Sequence, residues 1–488
     1  MHQRGRGWVV AVLLLLAGIA MRVVFIRYHD EFVGDSLIYA DIAHNLFSNH
    51  IYGVTEAGSV IRPTLIRLPG YPIFLGVCFS LFGDQNFMAV VWVQALLALV
   101  ECCLLGALAA RLMGRRAGLI ALGLAALCPF TSNYVAAALT ETLSLFCITL
   151  ALFSLERWMH AQQQGRPWNA WLLLVGFASA YAVLVRPDQA LLPMVVVPAM
   201  LGVSLRPAQG SPVKASPAKA SPIKRTLPAA SVALIIALPL LVWGARNWRV
   251  FHVVQALAPR YATDPGEPIS YGFQRWYRTW AIDFKSTLDV YWTYDGSPLA
   301  MKDLPPRAFD NAAQLQETER IYAQYNDINT ANPESDAAFA RLAAERVAAH
   351  PFRYYIVLPL ARLADMWLCP RVELMDLPLD WWHWRNHPKA TAFSLFYASL
   401  DAAYLVLAAV GLWRWRRQGW SGYSALAYAM VAFVLLRCIL LATIDNSEPR
   451  YTLECFPIVI LLASFALARQ HPRQTERLQT QSARRTLS

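Results

Sequence analysis

Charged side chains are scarce in this chain. Asp, Glu, Lys and Arg make up 15% of its 488 residues, whereas a soluble protein of this size has about a quarter. Hydrophobic residues make up 57% and form repeated runs of about 20 residues, the length that crosses the hydrocarbon core of a bilayer. The composition therefore excludes an ordinary soluble domain and predicts an all-α polytopic membrane protein.

Several common site motifs are missing as well. The sequence has no glycine loop of the phosphate-binding kind and no Gly-x-Ser-x-Gly, which argues against a nucleotide-using or serine-hydrolase active site. The eight cysteines offer no disulfide framework, because all of them except Cys369 lie in apolar segments. We interpret them as buried thiols that pack as small hydrophobic groups.

The positive charge has a particular distribution along the chain. The net charge is +11, but the basic residues lie mostly in short loops beside apolar segments, for example at 111–116 and 413–420. This is the positive-inside pattern of membrane proteins and not a nucleic-acid footprint. It also places loop 206–227 and the tail 471–488 inside. We therefore expect a multi-pass protein of the bacterial inner membrane with both termini cytoplasmic.

About ten transmembrane helices are predicted. The first apolar run, from Trp8 to Ile26, is longer than the roughly 7–15-residue core of a cleaved signal peptide, which favours a retained helix. Two stretches, 70–83 and 352–368, are short or interrupted by charge, and we interpret them as interfacial helices; counting both as spans would also keep the termini on one side. The predicted spans are 8–26, 86–112, 117–137, 139–157, 169–185, 189–205, 228–249, 391–412, 421–442 and 451–469.

The hydropathy pattern divides the chain into four parts. An N-terminal membrane module of about seven spans is followed by an external soluble insertion, then by an interfacial helix with the C-terminal spans, and finally by the tail. Loop 206–227 repeats Ser, Pro and Lys and lacks the apolar residues that a core requires, so we expect it to be disordered. The four parts are 1–250 (with the first external loop at 27–70), 251–350, 351–470 and 471–488.

The external insertion is unusually aromatic in its first half. Sugars present apolar C–H faces that stack on aromatic rings, so saccharide binding is one interpretation, and a membrane-proximal aromatic belt is the other. In the second half, Asn332 and Pro333 supply an N-cap and a first helical position, which predicts a helix from there to His350. The aromatic residues are Tyr271, Phe273, Trp276, Tyr277, Trp280, Tyr291, Trp292 and Tyr294.

Two fragments of the first external loop carry the main functional signal. They read GDSLIYADIAHNLFSNHIYGV from Gly34 and IRLPGYPIFLG from Ile66. Together they resemble the corresponding loop of GT-C fold glycosyltransferases that use polyprenyl phosphate, above all glycosyltransferase family 39 and its RgtA/B/C/D-like relatives. The resemblance implies a GT-C-like helix bundle, a polyprenyl-phosphate sugar donor, and inverting transfer of one hexose or pentose to a lipid, glycan or protein acceptor on the periplasmic side.

Asp35 is the candidate catalytic base. Its residue type and position suit the N-cap of the helix that follows, and capping does not exclude catalysis. A carboxylate can take the proton of an acceptor hydroxyl, and the resemblance implies this role for the Asp of the loop, which is followed here by Tyr39 and Asn45. Asp30 and Glu31 are a rival pair with poorer spacing to the helix.

Glu141 is the second candidate catalytic acid. It lies at the predicted outer start of a helix, where the helix dipole favours a negative charge, and it matches the second acidic residue of the resembling family. Two alternatives stay open for Asp35 and Glu141. They either divide proton transfer and acceptor orientation between them, or hold a divalent cation against the donor phosphate. No cofactor is certain.

A second metal hypothesis concerns His383 and His387, which have helical i, i+4 spacing. No acidic or cysteine ligand accompanies them at metal-site spacing. The neighbouring tryptophans Trp381, Trp382 and Trp384 favour an interfacial anchor instead.

Several arginines lie at the outer ends of predicted spans, against the positive-inside bias. Snorkelling of the side chain to the interface is one explanation, and phosphate binding by the guanidinium fork is the other. The family resemblance extends to their motifs, and we prefer Arg67 and Arg450 for the donor phosphate, with Arg246 behind them. The candidate substrate-binding residues are Tyr39, Arg67, Tyr71, Arg186, Arg246, Arg450 and Tyr451.

Two other classes of protein share this hydropathy. Secondary transporters usually have two related halves and broken helices at the membrane midplane, whereas the insertion here separates about seven spans from three. A non-enzymatic scaffold for envelope assembly would need no outward cavity lined with both acids and arginines. The first external loop therefore favours an enzyme.

Overall fold

The computed structural model describes residues 2–28, 32, 34–205 and 222–468. The tail 471–488 and the pair Asp30-Glu31 lie outside the described residues, as does most of loop 206–227. For the end of that loop, 222–227, the prediction of disorder is wrong, because these residues begin a helix. Pro222 occupies its first position, where the missing N–H of proline costs no hydrogen bond.

Helices dominate the described part of the chain, which confirms the all-α fold class. Its two strands, β1 (Gly53–Thr55) and β2 (Ile61–Pro63), form one antiparallel hairpin. The helices are α1 (His2–Tyr28), α2 (Asp35–Asn49), α3 (Gly70–Phe82), α4 (Phe87–Met113), α5 (Arg115–Ala126), α6 (Pro129–Tyr134), α7 (Glu141–Gln163), α8 (Ala170–Val185), α9 (Leu191–Leu205), α10 (Pro222–Phe251), α11 (Tyr271–Arg278), α12 (Phe284–Ser286), α13 (Ala312–Asn326), α14 (Pro333–Ala349), α15 (Leu358–Leu368), α16 (Pro388–Arg417), α17 (Ser424–Thr443) and α18 (Phe456–Leu467).

Eight helices of the described part have the length and hydropathy to cross a membrane, two fewer than predicted. The span predicted at 117–137 is interrupted after Ala126 and resumes as the short α6. Helix α8 has 16 residues, and its length of about 24 Å falls short of a hydrocarbon core of about 30 Å. The eight are Gly7–Tyr28, Phe87–Met113, Glu141–Gln163, Pro187–Leu205, Ile223–Phe251, Pro388–Arg417, Ser424–Thr443 and Pro449–Leu467.

An arginine of the first span stabilises the interruption between α5 and α6. The last carbonyl groups of a helix need donors from outside it, and Arg22 Nη1 donates to Ala126 O at 3.1 Å. Its Nη2 donates to Cys102 Sγ at 3.3 Å. Gly18 allows the close approach, because a Cβ there would lie 2.9 Å from Ala126 Cβ. A single buried guanidinium thus connects α1, α4 and the broken helix.

The two most enclosed spans lie at the centre of the bundle. In the most apolar stretch of α7, 78% of the residues are buried inside the protein, and in that of the span ending in α18 the share is 83%. Helix α16 crosses α18 closely, since a Cβ on Gly411 would lie 1.7 Å from Leu462 O. Glu141 begins α7, and the segment Pro449–Cys455, a 3₁₀ helix, leads into α18. Glu141 and Arg450 therefore lie at the starts of the two most buried candidate spans.

The loop predicted to be external contains α2 and the hairpin and leads into α3. Asn45 is buried on α2 and donates from Nδ2 to Gly53 O and Thr55 Oγ1, which fixes the hairpin against the helix. Gly70, at the start of α3, lies against α8, because a Cβ there would be 2.5 Å from Leu184 C. The hairpin, which the sequence did not reveal, and this contact place Arg67 beside the end of α8.

The insertion between α10 and α15 has a hydrophobic core of its own. The predicted N-cap of α14 is confirmed, since Asn332 Oδ1 accepts from Ser335 N at 2.9 Å. Both interpretations of the aromatic residues are wrong for most of them. Phe273, Trp276 and their neighbours are buried against α13 and α14, and the rings of Phe273 and Tyr294 stack with centroids 3.7 Å apart. These residues form the core of the insertion.

Candidate active site

Asp35 lies between two arginines from distant parts of the chain. Arg67 Nη2 donates to Asp35 Oδ1 at 2.7 Å, and Arg450 Nη2 donates to Asp35 Oδ2 at 3.3 Å. The prediction that Asp35 caps α2 is wrong, because Gly34 is the N-cap residue, with φ 58°, and no side chain caps this helix. Both oxygens of Asp35 instead face guanidinium groups.

The charge of Asp35 is set by this contact. Burial alone would raise the pKa of the carboxyl group, but the charges and hydrogen bonds of Arg67 and Arg450 outweigh burial and lower the pKa from its ordinary value. Asp35 is therefore ionised at neutral pH. Its side chain is 30% exposed, so a molecule from outside can reach it.

Arg67 is held by the loop that precedes α3. Its guanidinium lies over the ring of Tyr39, with its central carbon 5.6 Å from the ring centroid, and its backbone carbonyl accepts from Tyr52 Oη at 3.0 Å. Its Nε is buried and has no hydrogen-bond partner in the described residues. The guanidinium is thus fixed in direction while retaining an unused donor.

Glu141 begins α7 and is almost completely buried, with 1% of its side chain exposed. Its Oε1 lies 2.8 Å from Arg186 Nη1 and 3.9 Å from Arg450 Nη1. Its Oε2 is buried and has no hydrogen-bond partner among the described residues. Arg450 therefore lies between the two candidate catalytic carboxylates, and one oxygen of Glu141 is free to accept.

The 3₁₀ segment before α18 fixes the position of Arg450. Arg450 Nε donates to Glu448, and Tyr451 Oη donates to the other oxygen of Glu448 at 2.5 Å. The ring of Tyr451 lies between two guanidinium groups, 5.7 Å from the central carbon of Arg450 and 5.8 Å from that of Arg186. Arg450 is consequently oriented before any substrate binds.

The structure adds a deeper layer of charges that the sequence reasoning missed. Arg437, in the middle of α17, donates to Asp188 Oδ2 and Glu454 Oε2, both at 2.7 Å. Arg186 contacts the same two acids at 3.1 and 3.2 Å. The sequence does contain a signal for Arg437, because an arginine within an otherwise apolar span indicates a functional role. Asp188 and Glu454 lie within a few residues of the candidates Arg186 and Arg450, in the sequences LVRPDQ and EPRYTLE.

Acids and arginines alternate through the whole cluster. Arg186, Arg437 and Arg450 each contact at least two carboxylates, Arg67 contacts Asp35, and each carboxylate contacts at least one arginine. A phosphate that binds the Nη2 groups of Arg67 and Arg450 must therefore displace Asp35 from them, whereas Arg67 Nε has no partner to displace in the described residues. The members are Asp35, Glu141, Asp188, Glu448 and Glu454 with Arg67, Arg186, Arg437 and Arg450.

Four predicted substrate-binding residues are not members of this cluster: Tyr39 and Tyr451 lie against its arginines, while Arg246 and Tyr71 lie farther away. Arg246 donates to the backbone carbonyls of Thr64 at 2.8 Å and Tyr52 at 2.7 Å, so it supports the loop that leads to Arg67. Tyr71 directs its hydroxyl into the bundle and donates to Gln94 Oε1 at 2.9 Å. Its ring contacts that of Tyr39 edge-on, with centroids 5.0 Å apart. Both residues position neighbours of the cluster.

Comparison with known proteins identifies the architecture. Residues 63–243 match the family model of dolichyl-phosphate-mannose-protein mannosyltransferases. The archaeal oligosaccharyltransferase AglB from Archaeoglobus fulgidus, solved with an inhibitory peptide and a dolichol-phosphate, is similar with a TM-score of 0.50 at 11% identity, over 95% of this chain and 50% of AglB. A structure of the oligosaccharyltransferase of that organism with Zn and sulfate gives 0.51 at 11% identity, over 94% and 48%. This chain has the GT-C fold.

The GT-C assignment confirms the resemblance seen in the first loop. ArnT from Cupriavidus metallidurans bound to undecaprenyl phosphate aligns over 94% of this chain and 78% of ArnT at 17% identity, but its TM-score of 0.38 is too low to establish a shared fold. No protein of curated function matches the chain. The chain spans about half the length of the archaeal oligosaccharyltransferases that it resembles.

Within this GT-C chain, the family match covers part of the cluster. It includes Arg67, Glu141 and Arg186, while Asp35 and Arg450 lie outside residues 63–243. In the described residues, no group of three or more His, Cys, Asp or Glu side chains is arranged to hold a metal ion. The alternative of a divalent cation between Asp35 and Glu141 stays a hypothesis.

Proposed function

We propose that this protein is a membrane glycosyltransferase that moves one sugar from a polyprenyl-phosphate carrier to an acceptor on the periplasmic side of the inner membrane. The observation that carries the proposal is the contact of Asp35 with Arg67 and Arg450. It brings a proton acceptor and two phosphate-binding groups together at a partly exposed position in a protein with the GT-C fold. The dolichol-phosphate in the AglB structure supports a lipid-phosphate donor.

In the proposed reaction the acceptor hydroxyl attacks the anomeric carbon of the donor. A new carbon–oxygen bond forms, the bond from that carbon to the phosphate oxygen breaks, and the electron pair leaves with the lipid phosphate. Asp35 takes the hydroxyl proton. Arg67 and Arg450 bind the phosphate, whose negative charge grows as it leaves, so their contacts strengthen in the transition state.

The ion pairs of Asp35 give donor binding a second effect. While both oxygens of Asp35 accept from arginines, its lowered pKa makes it a weak base. A donor phosphate that takes Arg67 and Arg450 removes these contacts, and the pKa of Asp35 then rises towards the range of a useful base. The donor thereby activates the base that it needs, and this favours binding of donor before acceptor.

Glu141 and Arg186 have supporting roles in this scheme. Glu141 Oε1 holds Arg186 and approaches Arg450, and its unused Oε2 is suited to orient the acceptor hydroxyl. Arg186 is already engaged by Glu141, Asp188 and Glu454, so it positions the cluster. Arg450 contacts both the partly exposed carboxylate of Asp35 and the buried carboxylate of Glu141.

The decisive test uses the full chain in detergent with synthetic polyprenyl-phosphate hexoses and pentoses. Release of polyprenyl phosphate with formation of a glycosylated acceptor is the expected result. Comparative glycan mass spectrometry of a deletion strain and its parent should show one sugar missing, which names sugar and acceptor together. An unchanged glycan profile and no turnover with any donor of the panel would overturn the proposal.

A further inference from the structure

The segment that precedes Arg450 is held by the insertion. Residues 445–448 lie between α17 and the 3₁₀ helix Pro449–Cys455, and Thr287 of the insertion makes two hydrogen bonds with the backbone of this segment. Thr287 Oγ1 donates to Ser447 O at 3.0 Å and accepts from Ser447 N at 3.2 Å. Both residues are buried. The insertion thus fixes the backbone shortly before Arg450.

The hydroxyl group of Thr287 also connects this contact to the core of the insertion. A threonine hydroxyl has one proton and two acceptor positions. Because the proton of Thr287 is directed to Ser447 O, the hydroxyl group of Tyr277, 3.1 Å away, is the donor to Thr287 Oγ1. Tyr277 is completely buried in the hydrophobic core of the insertion. The hydrogen-bonding capacity of Thr287 is therefore fully used, and a single hydroxyl group joins that core to segment 445–448.

Two further contacts hold the same segment. Asp445 is buried and pairs with Arg278 of α11, whose Nε lies 3.3 Å from Asp445 Oδ1, and with Arg260, whose Nη2 lies 3.0 Å from the same oxygen. Ser447 Oγ donates to Asp365 Oδ2 of α15 at 2.8 Å. The segment is therefore fixed at positions 445 and 447, on one side by the insertion and on the other by α15.

The end of the segment determines the orientation of Arg450. Glu448 accepts from Arg450 Nε and from Asn446 Nδ2 at 2.9 Å. Because Glu448 takes Nε, the Nη groups of Arg450 are directed to Asp35, at 3.3 Å, and Glu141, at 3.9 Å. When a phosphate displaces Asp35, Glu448 still holds Nε. The accuracy with which Arg450 presents its Nη donors therefore depends on the position of Glu448.

We propose that the insertion sets the orientation of Arg450 through Thr287 and segment 445–448, and that Thr287 is a positioning residue for the lipid-phosphate donor. Thr287 acts through Ser447 and Glu448 and not by contact with the donor. The proposal rests on the proposed binding of the donor phosphate by Arg450. A guanidinium group that is oriented in advance loses less conformational freedom when the phosphate binds, so the insertion controls donor affinity.

Steady-state kinetics with a synthetic polyprenyl-phosphate sugar tests the proposal. Thr287→Val keeps the shape of the side chain and removes its three hydrogen bonds. Donor KM should rise roughly threefold to tenfold, while acceptor KM stays at the parental value. Thr287→Ser keeps the hydroxyl group and should restore the parental donor KM. Thr318→Val is the matched control, because Thr318 is an equally buried threonine of the insertion whose hydroxyl group donates within α13; it should change neither KM.

A double variant shows whether Thr287 acts through Arg450. In the Arg450→Ala chain, Thr287→Val should cause no further rise in donor KM, because the group that it orients is gone. An additive rise in the double variant, or a parental donor KM in Thr287→Val alone, would overturn the positioning role and leave sugar transfer untouched.

Hydrogen–deuterium exchange of the full chain in detergent tests the coupling without turnover. The N–H group of Ser447 donates to Thr287 Oγ1, and that of Tyr451 donates to Glu448 O at 3.1 Å. In Thr287→Val, peptide 445–451 should exchange roughly tenfold faster than in the parent. Thr287→Ser and Thr318→Val should match the parent in this peptide. Equal exchange in Thr287→Val and Thr318→Val would overturn the proposal.

The exchange result also stands if the parental chain transfers no sugar, an outcome that refutes the proposed enzymatic function and not the contact between the insertion and segment 445–448. If Thr287→Val does not fold, Arg278→Met replaces it, since the side chain of Arg278 is 26% exposed and methionine keeps its apolar stem. Faster exchange of peptide 445–451 and a higher donor KM are expected in that variant too. Parental values of both would overturn the proposal.

Discussion

Replacing Asp35 by Asn isolates the chemistry of the proposed base. The change keeps the size of the side chain, and it leaves the start of α2 intact because Gly34, and not Asp35, is the N-cap residue. What the substitution weakens is the pair of hydrogen bonds that Asp35 accepts from Arg67 and Arg450. A structural role for Asp35 would therefore leave turnover close to that of the parent.

The expected magnitudes differ for chemistry and for binding. A positioned general base contributes about 10²–10⁴-fold, or roughly 3–5 kcal/mol of activation free energy, so kcat should fall by that factor. Donor affinity should be unchanged or higher, because a hydrogen bond between charged groups, worth about 1.5–3 kcal/mol, no longer has to be broken before Arg67 and Arg450 take the phosphate.

Steady-state kinetics in detergent with a synthetic polyprenyl-phosphate sugar measures both quantities, and thermal unfolding of the purified variant shows whether it is folded. Asp84→Asn is the matched control, since Asp84 is an exposed carboxylate that pairs with His44 outside the cluster. If Asp35→Asn kept near-parental kcat, Asp35 would be only a structural partner of the arginines. If donor KM rose tenfold with kcat unchanged, Asp35 would serve binding and not proton transfer.

Three further predictions concern Arg67 and Arg450, the titration of Asp365, and the side of the membrane on which the loops lie. Alanine at Arg67 or Arg450 should raise donor KM about tenfold to hundredfold, and lysine should restore only part because it lacks the fork; unchanged kinetics in both alanine variants would contradict phosphate binding. Burial raises the pKa of Asp365 from 3.8 to about 7, so between these pH values the folded protein retains a proton that the unfolded chain releases. As pH rises to 7, the free energy of unfolding of the parent should therefore fall, by at most about 4 kcal/mol. Equal dependence of the melting temperature on pH in the parent and in Asp365→Asn would refute this. A cysteine at Asn326 should react with an impermeant thiol reagent in spheroplasts while one in loop 206–227 is protected, and the opposite pattern would place Asp35 on the cytoplasmic side.

Local signals in the sequence predicted most helices within a few residues. The spans that became α4, α9 and α17 are continuous apolar runs, and hydropathy locates such runs reliably. The span at 117–137 failed because the break at Leu127–Pro129 leaves the apolar composition unchanged. The break leaves the buried carbonyl group of Ala126 without a donor in the helix, and Arg22, more than 100 positions away in the chain, donates to it. No local pattern reveals this contact.

The candidate site was predictable in its residues and not in its connections. Asp35, Arg67 and Arg450 were singled out through the motifs around them, but sequence cannot show that side chains 415 positions apart meet at 3.3 Å. Arg437 was absorbed into an apolar window, since one charge changes the average of about 20 residues little. The aromatic insertion residues failed for another reason: the same aromatic composition suits a binding surface, a membrane belt and a core, and only tertiary packing distinguishes them.

The arrangement of the charges explains why a cluster of this kind can be kept at a catalytic site. Burying an ion pair costs several kcal/mol per ion unless further contacts compensate, and the deepest members, Arg437 and Glu454, have no exposed side-chain surface. They form direct contacts with each other and with Arg186 or Asp188, so removing either one would leave a buried charge without its partner. Asp35, at the opposite end, is the most exposed carboxylate of the cluster. The deep pairs therefore hold the arginines in place, and the exchange of partners that substrate binding requires takes place at Asp35, where water can still compensate the charges while they separate.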